Sequence, residues 1–247
     1  MFWDFDGTII DTETIYRDIL IEFLENKNLL KNKITDEFFF KNIAGSHPEE
    51  FITKLYDGGY TKTTDINPDE IRKYYESYFD TIPAGSIRVN HRIDEIIEKF
   101  SNKKDTLLFI TSSSPKKSYL TKIRIMEDMT INKVFDINKN VYLCSEKNCR
   151  NKPEPDIYIY TFRDIIKKYN LDLKKDKFII IEDSITGCQA AYSFKKSFEN
   201  KANIKIIAYL YVAKINKTNP VFTENSDKII DNPEDLLHEI EKFYEEK

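Results

Sequence analysis

The chain has 247 residues, 40% hydrophobic and 32% charged, and its 42 acidic against 38 basic side chains leave a net charge of only -4. That length suits one α/β domain with an insertion or two small domains, and the charge balance excludes long-range attraction to nucleic acid. No stretch approaches the ~20 apolar residues of a membrane helix, and acid appears at once at Asp4, so a soluble, cytoplasmic protein with no membrane or nucleic-acid partner is expected. Cys144, Cys149 and Cys188 are too few, and odd in number, for a disulfide framework or a four-ligand zinc site.

Strand-length apolar runs fall at residues 2–5, 106–110, 178–181 and 204–212, with a weaker one at 141–144. They are continuously apolar, as strands of a parallel sheet covered on both faces are. Only three residues precede Asp4, so the first strand is expected to be short, through a trimmed N-terminus, a start placed too late or a weakened strand. Residues 14–84 have helical periodicity and no convincing strand: Ile15, Ile19 and Phe23 repeat every fourth residue. Asn67-Pro68 has the form of a helix start, after which Ile71, Tyr74, Tyr75, Tyr78 and Phe79 trace one apolar face. A second helix is predicted after Pro155-Asp156, with Tyr158, Phe162, Ile165, Ile166 and Tyr169 on its apolar side. Strand, helix and strand alternate, which predicts βαβ units.

Chemistry-bearing residues cluster where these strands end. Asp4-Phe5-Asp6-Gly7-Thr8 follows the first strand, and in open parallel sheets ligands sit beyond the carboxyl ends of strands. An isolated Asp-x-Asp is equally well a solvated corner. Thr111-Ser112-Ser113-Ser114 follows the second strand, where hydroxyls and amides at a helix start can hold an anion or simply cap the helix. Asn151-Lys152-Pro153-Glu154-Pro155 sets a lysine between prolines that stiffen the backbone. Glu182-Asp183-Ser184 follows the strand at 178–181, with Gly187, Ala190 and Ala191 small enough for close helix packing; acidic capping explains it alone.

These four motifs, in this order, resemble the haloacid dehalogenase superfamily, and the resemblance spans nearly the whole chain. It implies an α/β fold with a Rossmann-like parallel-sheet core, residues 1–13 and 85–247, and an inserted α-helical cap, residues 14–84. It also implies Asp4 as nucleophile, Asp6 as general acid and base, and Ser112, Ser113 and Lys152 as phosphate-binding residues, with Thr111 an alternative to Ser112. Mg²⁺ is the implied cofactor, held by Asp4, the backbone of Asp6, Glu182 and Asp183, with Glu182 acting through water. The chemistry is coherent: converging carboxylates repel unless cations compensate them, and Mg²⁺ and Lys152 would do so while stabilising phosphoryl charge.

Asp6 argues against dehalogenases, phosphonate-cleaving enzymes and ion-pumping ATPases, which lack an acid there, so a phosphatase acting on a small phosphorylated metabolite is expected, as a monomer. The segment between Ser112 and Lys152 is too short for a large second cap. The arrangement is similar to sugar-phosphate phosphatases, phosphoglycolate phosphatases and β-phosphoglucomutase. A mutase is the alternative reading, although Tyr16 stands where that enzyme has a cap histidine; a non-catalytic phosphometabolite-binding protein is another. Tyr16, Gly45 and His47 are the expected specificity residues. Ser46 as an N-cap ahead of a helix at 49–56 accounts equally well for the last two.

Overall fold

The computed structural model describes residues 1–245. Its strands are β1 (Phe2–Trp3), β2 (Phe109–Ser112), β3 (Val141–Leu143), β4 (Lys177–Glu182), β5 (Asn203–Tyr209) and β6 (Lys228–Ile230). All pair in parallel in the order β3-β2-β1-β4-β5-β6, so β1 lies between β2 and β4. The helices are α1 (Glu13–Asn26), α2 (Asp36–Asn42), α3 (Pro48–Asp57), α4 (Pro68–Thr81), α5 (Ile93–Ser101), α6 (Lys116–Met126), α7 (Met129–Val134), α8 (Cys144–Lys147), α9 (Asp156–Tyr169), α10 (Ile185–Ser197), α11 (Pro220–Asn225) and α12 (Pro233–Glu245).

The two-residue period of a strand explains why the strands are apolar throughout. Trp3, Ile110, Ile179, Ile181 and Ile207 point to one face and pack with Ile96, Phe100, Ile131 and Leu236 of α5, α7 and α12. Phe2, Phe109, Phe178, Ile180 and Ile206 point to the other and pack with Phe162 of α9 and Ala190, Ala191 and Phe194 of α10. Each face is therefore covered, and loops at the strand ends are the places left for polar chemistry.

Helices α1 to α4 build a separate cluster from Leu20, Phe23, Leu24, Phe39, Phe51, Leu55 and Ile71. Ala213, from the segment after β5, is buried in that cluster too, and Asn216 donates from Nδ2 to the carbonyl of Phe40 at 2.7 Å. Ile19 and Phe79 of the same helices join the main core instead. Among described residues no helix is long and apolar enough to cross a membrane.

Several sequence-based boundaries are corrected. The strand expected at 106–110 runs Phe109–Ser112, because Thr111 and Ser112 are buried despite their hydroxyls. Strand β1 stops at Trp3, although the Asp4 amide still donates to Ile181 O at 3.0 Å. Strand β5 ends at Tyr209 rather than 212. Helix α3 is capped by His47, not Ser46, with Pro48 in its first turn and no hydrogen bond from the capping side chain.

Candidate active site

Asp4 and Asp6 leave the carboxyl end of β1 on a tight turn. Gly7 has φ +81, and a Cβ there would stand 1.9 Å from Asp183 Oδ2, so this position must be glycine. The turn is fixed from below by Asn90, whose buried amide donates to the carbonyls of Gly7 at 2.8 Å and Thr8 at 2.9 Å. Thr8 in turn donates to Asp183 Oδ1 at 3.1 Å, which joins the first motif to the last.

Lys152 reaches into this group from the loop before α9. Its ammonium donates to Asp4 Oδ1 at 2.5 Å, to Glu182 Oε1 at 2.5 Å and to the Thr111 carbonyl at 2.9 Å. All three ammonium donors are used. Burial works against its charge, but Asp4 and Glu182 outweigh that and hold Lys152 protonated well beyond the usual lysine range. Glu182 also accepts from the buried Tyr158 hydroxyl. Gly187 makes the space for that carboxylate, because a Cβ there would lie 1.8 Å from Glu182 Oε2. Helix packing is therefore a secondary reason for the glycine.

Asp4, Glu182 and Asp183 each offer a carboxylate oxygen within 4.8 Å of the others, and all three are buried. Glu182 Oε2 has no hydrogen-bond partner. Burial, opposed by Lys152 and aided by the charge of Glu182, pushes Asp4 up to about 8. Asp183 is raised well above the carboxylate range by burial and then by Asp4. Hard oxygen donors crowded in this way, with one orphaned, fit a divalent cation such as Mg²⁺. The side chain of Asp6 is outside the cluster and is engaged elsewhere.

Asp6 accepts from Lys122 Nζ at 2.5 Å, from Ser114 Oγ at 2.5 Å and from Thr12 Oγ1 at 3.1 Å. Burial alone would raise its carboxyl, but Lys122 and these hydrogen bonds hold it below the usual value. The serine motif is divided in role. Ser112 Oγ accepts from the Ser114 amide at 3.0 Å, and Ser113 Oγ accepts from the Lys152 amide at 3.2 Å. Thr111 contributes its carbonyl, while its hydroxyl is buried without a partner.

Of the expected specificity residues, Tyr16 is half-buried among Tyr75, Phe79 and Lys122. Gly45 has φ +71 and lies near Ser184, where a Cβ on it would be 3.3 Å from Ser184 Cβ. His47 is exposed. Sequence reasoning missed Lys122, Asn90, Tyr158 and Thr12, and it placed Ser114 in an anion-holding motif without its bond to Asp6. A signal existed for Lys122: it occupies a place in the buried row Tyr119, Lys122, Ile125 and Met126 of α6, where a cation needs a partner.

A parallel sheet with an acid cluster at its carboxyl edge defines a Rossmann-like α/β protein with a polar site at its strand ends, and residues 1–209 match the family model of haloacid dehalogenase-like hydrolases. The chain belongs to that family. It is similar to a conserved haloacid dehalogenase-like protein from Agrobacterium tumefaciens, at 15% identity and TM-score 0.73, over 99% of this chain and 98% of the other. A haloacid dehalogenase family hydrolase from Deinococcus radiodurans, solved with bound phosphate and sodium, has 15% identity and TM-score 0.70, covering 98% and 95%. CbbY from Rhodobacter sphaeroides, in complex with xylulose-(1,5)bisphosphate, has 15% identity and TM-score 0.60, covering 93% and 92%. At these identities the likeness is one of fold. No curated protein sequence matches the chain significantly.

Proposed function

We propose that the chain is a phosphomonoester hydrolase acting on a small phosphorylated metabolite through an aspartyl-phosphate intermediate, with residues 14–84 as a cap over a core of residues 1–13 and 85–247. The observation that carries this reading is the Asp4 carboxylate at the end of the central strand, 2.5 Å from the buried Lys152 ammonium, with Asp6 two residues on. Membership of a hydrolase family supports it, as do phosphate in the Deinococcus structure and a sugar bisphosphate in that of CbbY.

Lys152, Ser112 and Ser113 would hold the phosphoryl oxygens, and Lys152 keeps positive charge beside the nucleophile whatever the substrate. An Asp4 carboxylate oxygen attacks phosphorus as the ester oxygen leaves, and Asp6, which Lys122 and its hydrogen bonds hold ionised in the free protein and which must therefore first take up a proton in the substrate complex, delivers that proton to the leaving oxygen. Water then attacks the phosphorus of the aspartyl phosphate, Asp6 takes its proton, and inorganic phosphate departs with Asp4 restored. Mg²⁺ held by Asp4, Glu182, Asp183 and the Asp6 carbonyl would supply the charge that offsets these carboxylates and the phosphoryl group. Tyr16, Gly45 and His47 would contact the rest of the substrate, and the nearness of Gly45 to Ser184, the residue after the acid pair, supports that placement for its loop.

A panel of sugar, polyol, glycolate and nucleotide phosphates, assayed for phosphate release with Mg²⁺, tests the proposal. Release from at least one ester, lost in Asp4→Asn, is expected. Tight binding without release would favour a binding protein, and exchange between two positions of one sugar a mutase.

A further inference from the structure

Lys122 is a buried cation that the roles given above leave unused. Its side chain is 2% exposed, and an ammonium so placed is costly to bury unless it is fully compensated. The compensation comes from two parts of the molecule at once. From the core, Asp6 Oδ1 lies 2.5 Å away and Ser114 Oγ 3.4 Å away. From the helices of residues 14–84, the ring centroids of Tyr16 and Phe79 lie 5.3 and 5.8 Å from Nζ, and the Tyr16 hydroxyl further favours the charged ammonium.

The charge is therefore enclosed only while α1 and α4 cover it, and the Asp6 carboxylate is gripped on one oxygen by Lys122 and Thr12 and on the other by Ser114. No rotation of that carboxylate is possible without breaking a charge-assisted bond. The polar partners of Lys122 are Asp6 and Ser114, not Asp4, Glu182 or Asp183, so it serves Asp6 and not the phosphoryl group.

We infer that Lys122 is a positioning residue that fixes the Asp6 carboxylate for proton transfer and ties that fixation to the seating of α1 and α4 over the site. This rests on the phosphoryl-transfer reading. Its consequence separates the two half-reactions. With p-nitrophenyl phosphate the leaving group departs without a proton, so attack by Asp4 needs little from Asp6. Hydrolysis of the aspartyl phosphate does need a placed base, and general base catalysis contributes roughly 10²–10⁴-fold.

The experiment is rapid-quench kinetics of wild type, Lys122→Met, Asp6→Asn and the double variant with p-nitrophenyl phosphate and Mg²⁺, with thermal unfolding of each. For Lys122→Met we expect a p-nitrophenol burst close to wild type, an aspartyl phosphate that decays at least about tenfold more slowly, and a smaller effect in the same direction for Tyr16→Phe. In the Asp6→Asn background, Lys122→Met should change decay less than about twofold. It should also raise the melting temperature there, because it removes a buried lysine left without its carboxylate. Decay at the wild-type rate in Lys122→Met overturns the inference, as does a proportional fall of burst and turnover, the mark of a mere loss of folded protein. An independent tenfold loss in the double variant overturns it too. If wild type itself forms no aspartyl phosphate, the phosphoryl-transfer reading fails and the role of Lys122 fails with it; the two failures are told apart by the wild-type trace.

Discussion

The Glu182 carboxylate fills the space that any side chain at position 187 would require: a Cβ on Gly187 would stand 1.8 Å from Oε2 and 2.2 Å from Cδ. Glu182 cannot simply yield, because Lys152 and Tyr158 hold its other oxygen. Gly187→Ala is accordingly expected to destabilise the fold by about 1–3 kcal/mol, as overpacking does, and to impair the site as well. Urea unfolding checks the first part; a variant as stable as wild type would contradict the geometry.

Cation binding should be visible without any substrate. Trp3 is the sole tryptophan, is buried, and directly precedes Asp4. Titration with Mg²⁺ is expected to change its fluorescence saturably, chelator to reverse the change, and Asp183→Asn to abolish it. Ca²⁺ should bind and yet inhibit phosphate release, since its larger and looser oxygen shell displaces the nucleophile. A flat Mg²⁺ titration in wild type would count against the acid cluster as a metal site.

Asn90 provides a stability test remote from the reacting atoms. Its amide is the buried donor to two carbonyls of the Asp4 turn, those of Gly7 and Thr8. Replacing Asn90 by Leu leaves both without that donor and should cost about 1–3 kcal/mol. The same variant should lower turnover, because the turn positions both aspartates. Equal stability and turnover would show that the turn holds itself.

Glu13 carries a pH dependence. Burial, and then the neighbouring charge of Asp6, pushes its carboxyl up to about 7 from an ordinary value of 4.5. The folded protein thus binds this proton more tightly than the unfolded chain, and stability is lost as pH rises through that window. Glu13→Gln has the same shape, cannot ionise and has no such loss. Its melting temperature relative to wild type should rise between pH 5 and 7 and level off above, as followed by circular dichroism; a constant difference would refute the coupling.

Much of this architecture was legible because its signals are local. Continuous apolar runs marked four strands and most of the sheet, the acids and serines of the site follow directly on strand ends, and the lysine is marked by the prolines beside it. What escaped notice depends on distant partners. Lys122 finds Asp6 across 116 residues, and Asn90 finds Gly7 across 83; the buried row of its helix marks Lys122 as a cation in need of a partner without naming that partner, and nothing beside Asn90 announces a role. Strand β2 was set too early because Thr111 and Ser112 look like loop residues until the sheet buries them. Strand β6 is three residues long with an exposed Lys228, too short to establish a pattern. At position 47, proline at 48 moved the helix start, and the histidine became a cap facing solvent.

The segment after β5 has a mechanical meaning. Chain continuity ties the helices of residues 14–84 to the sheet at both of their ends, and Ile19 and Phe79 pack into the main core; Ala213 in their interior and Asn216 on the Phe40 carbonyl add a further fastening that is not covalent. A body pinned at two points can swing as a door, whereas one latched on its far side must first release the latch. That latch lies beyond residue 209, where the match to the family model stops. This fastening is thereby supplied by a stretch of sequence separate from Asp4, Asp6, Ser112, Lys152 and Asp183, and can drift or be engineered without touching them.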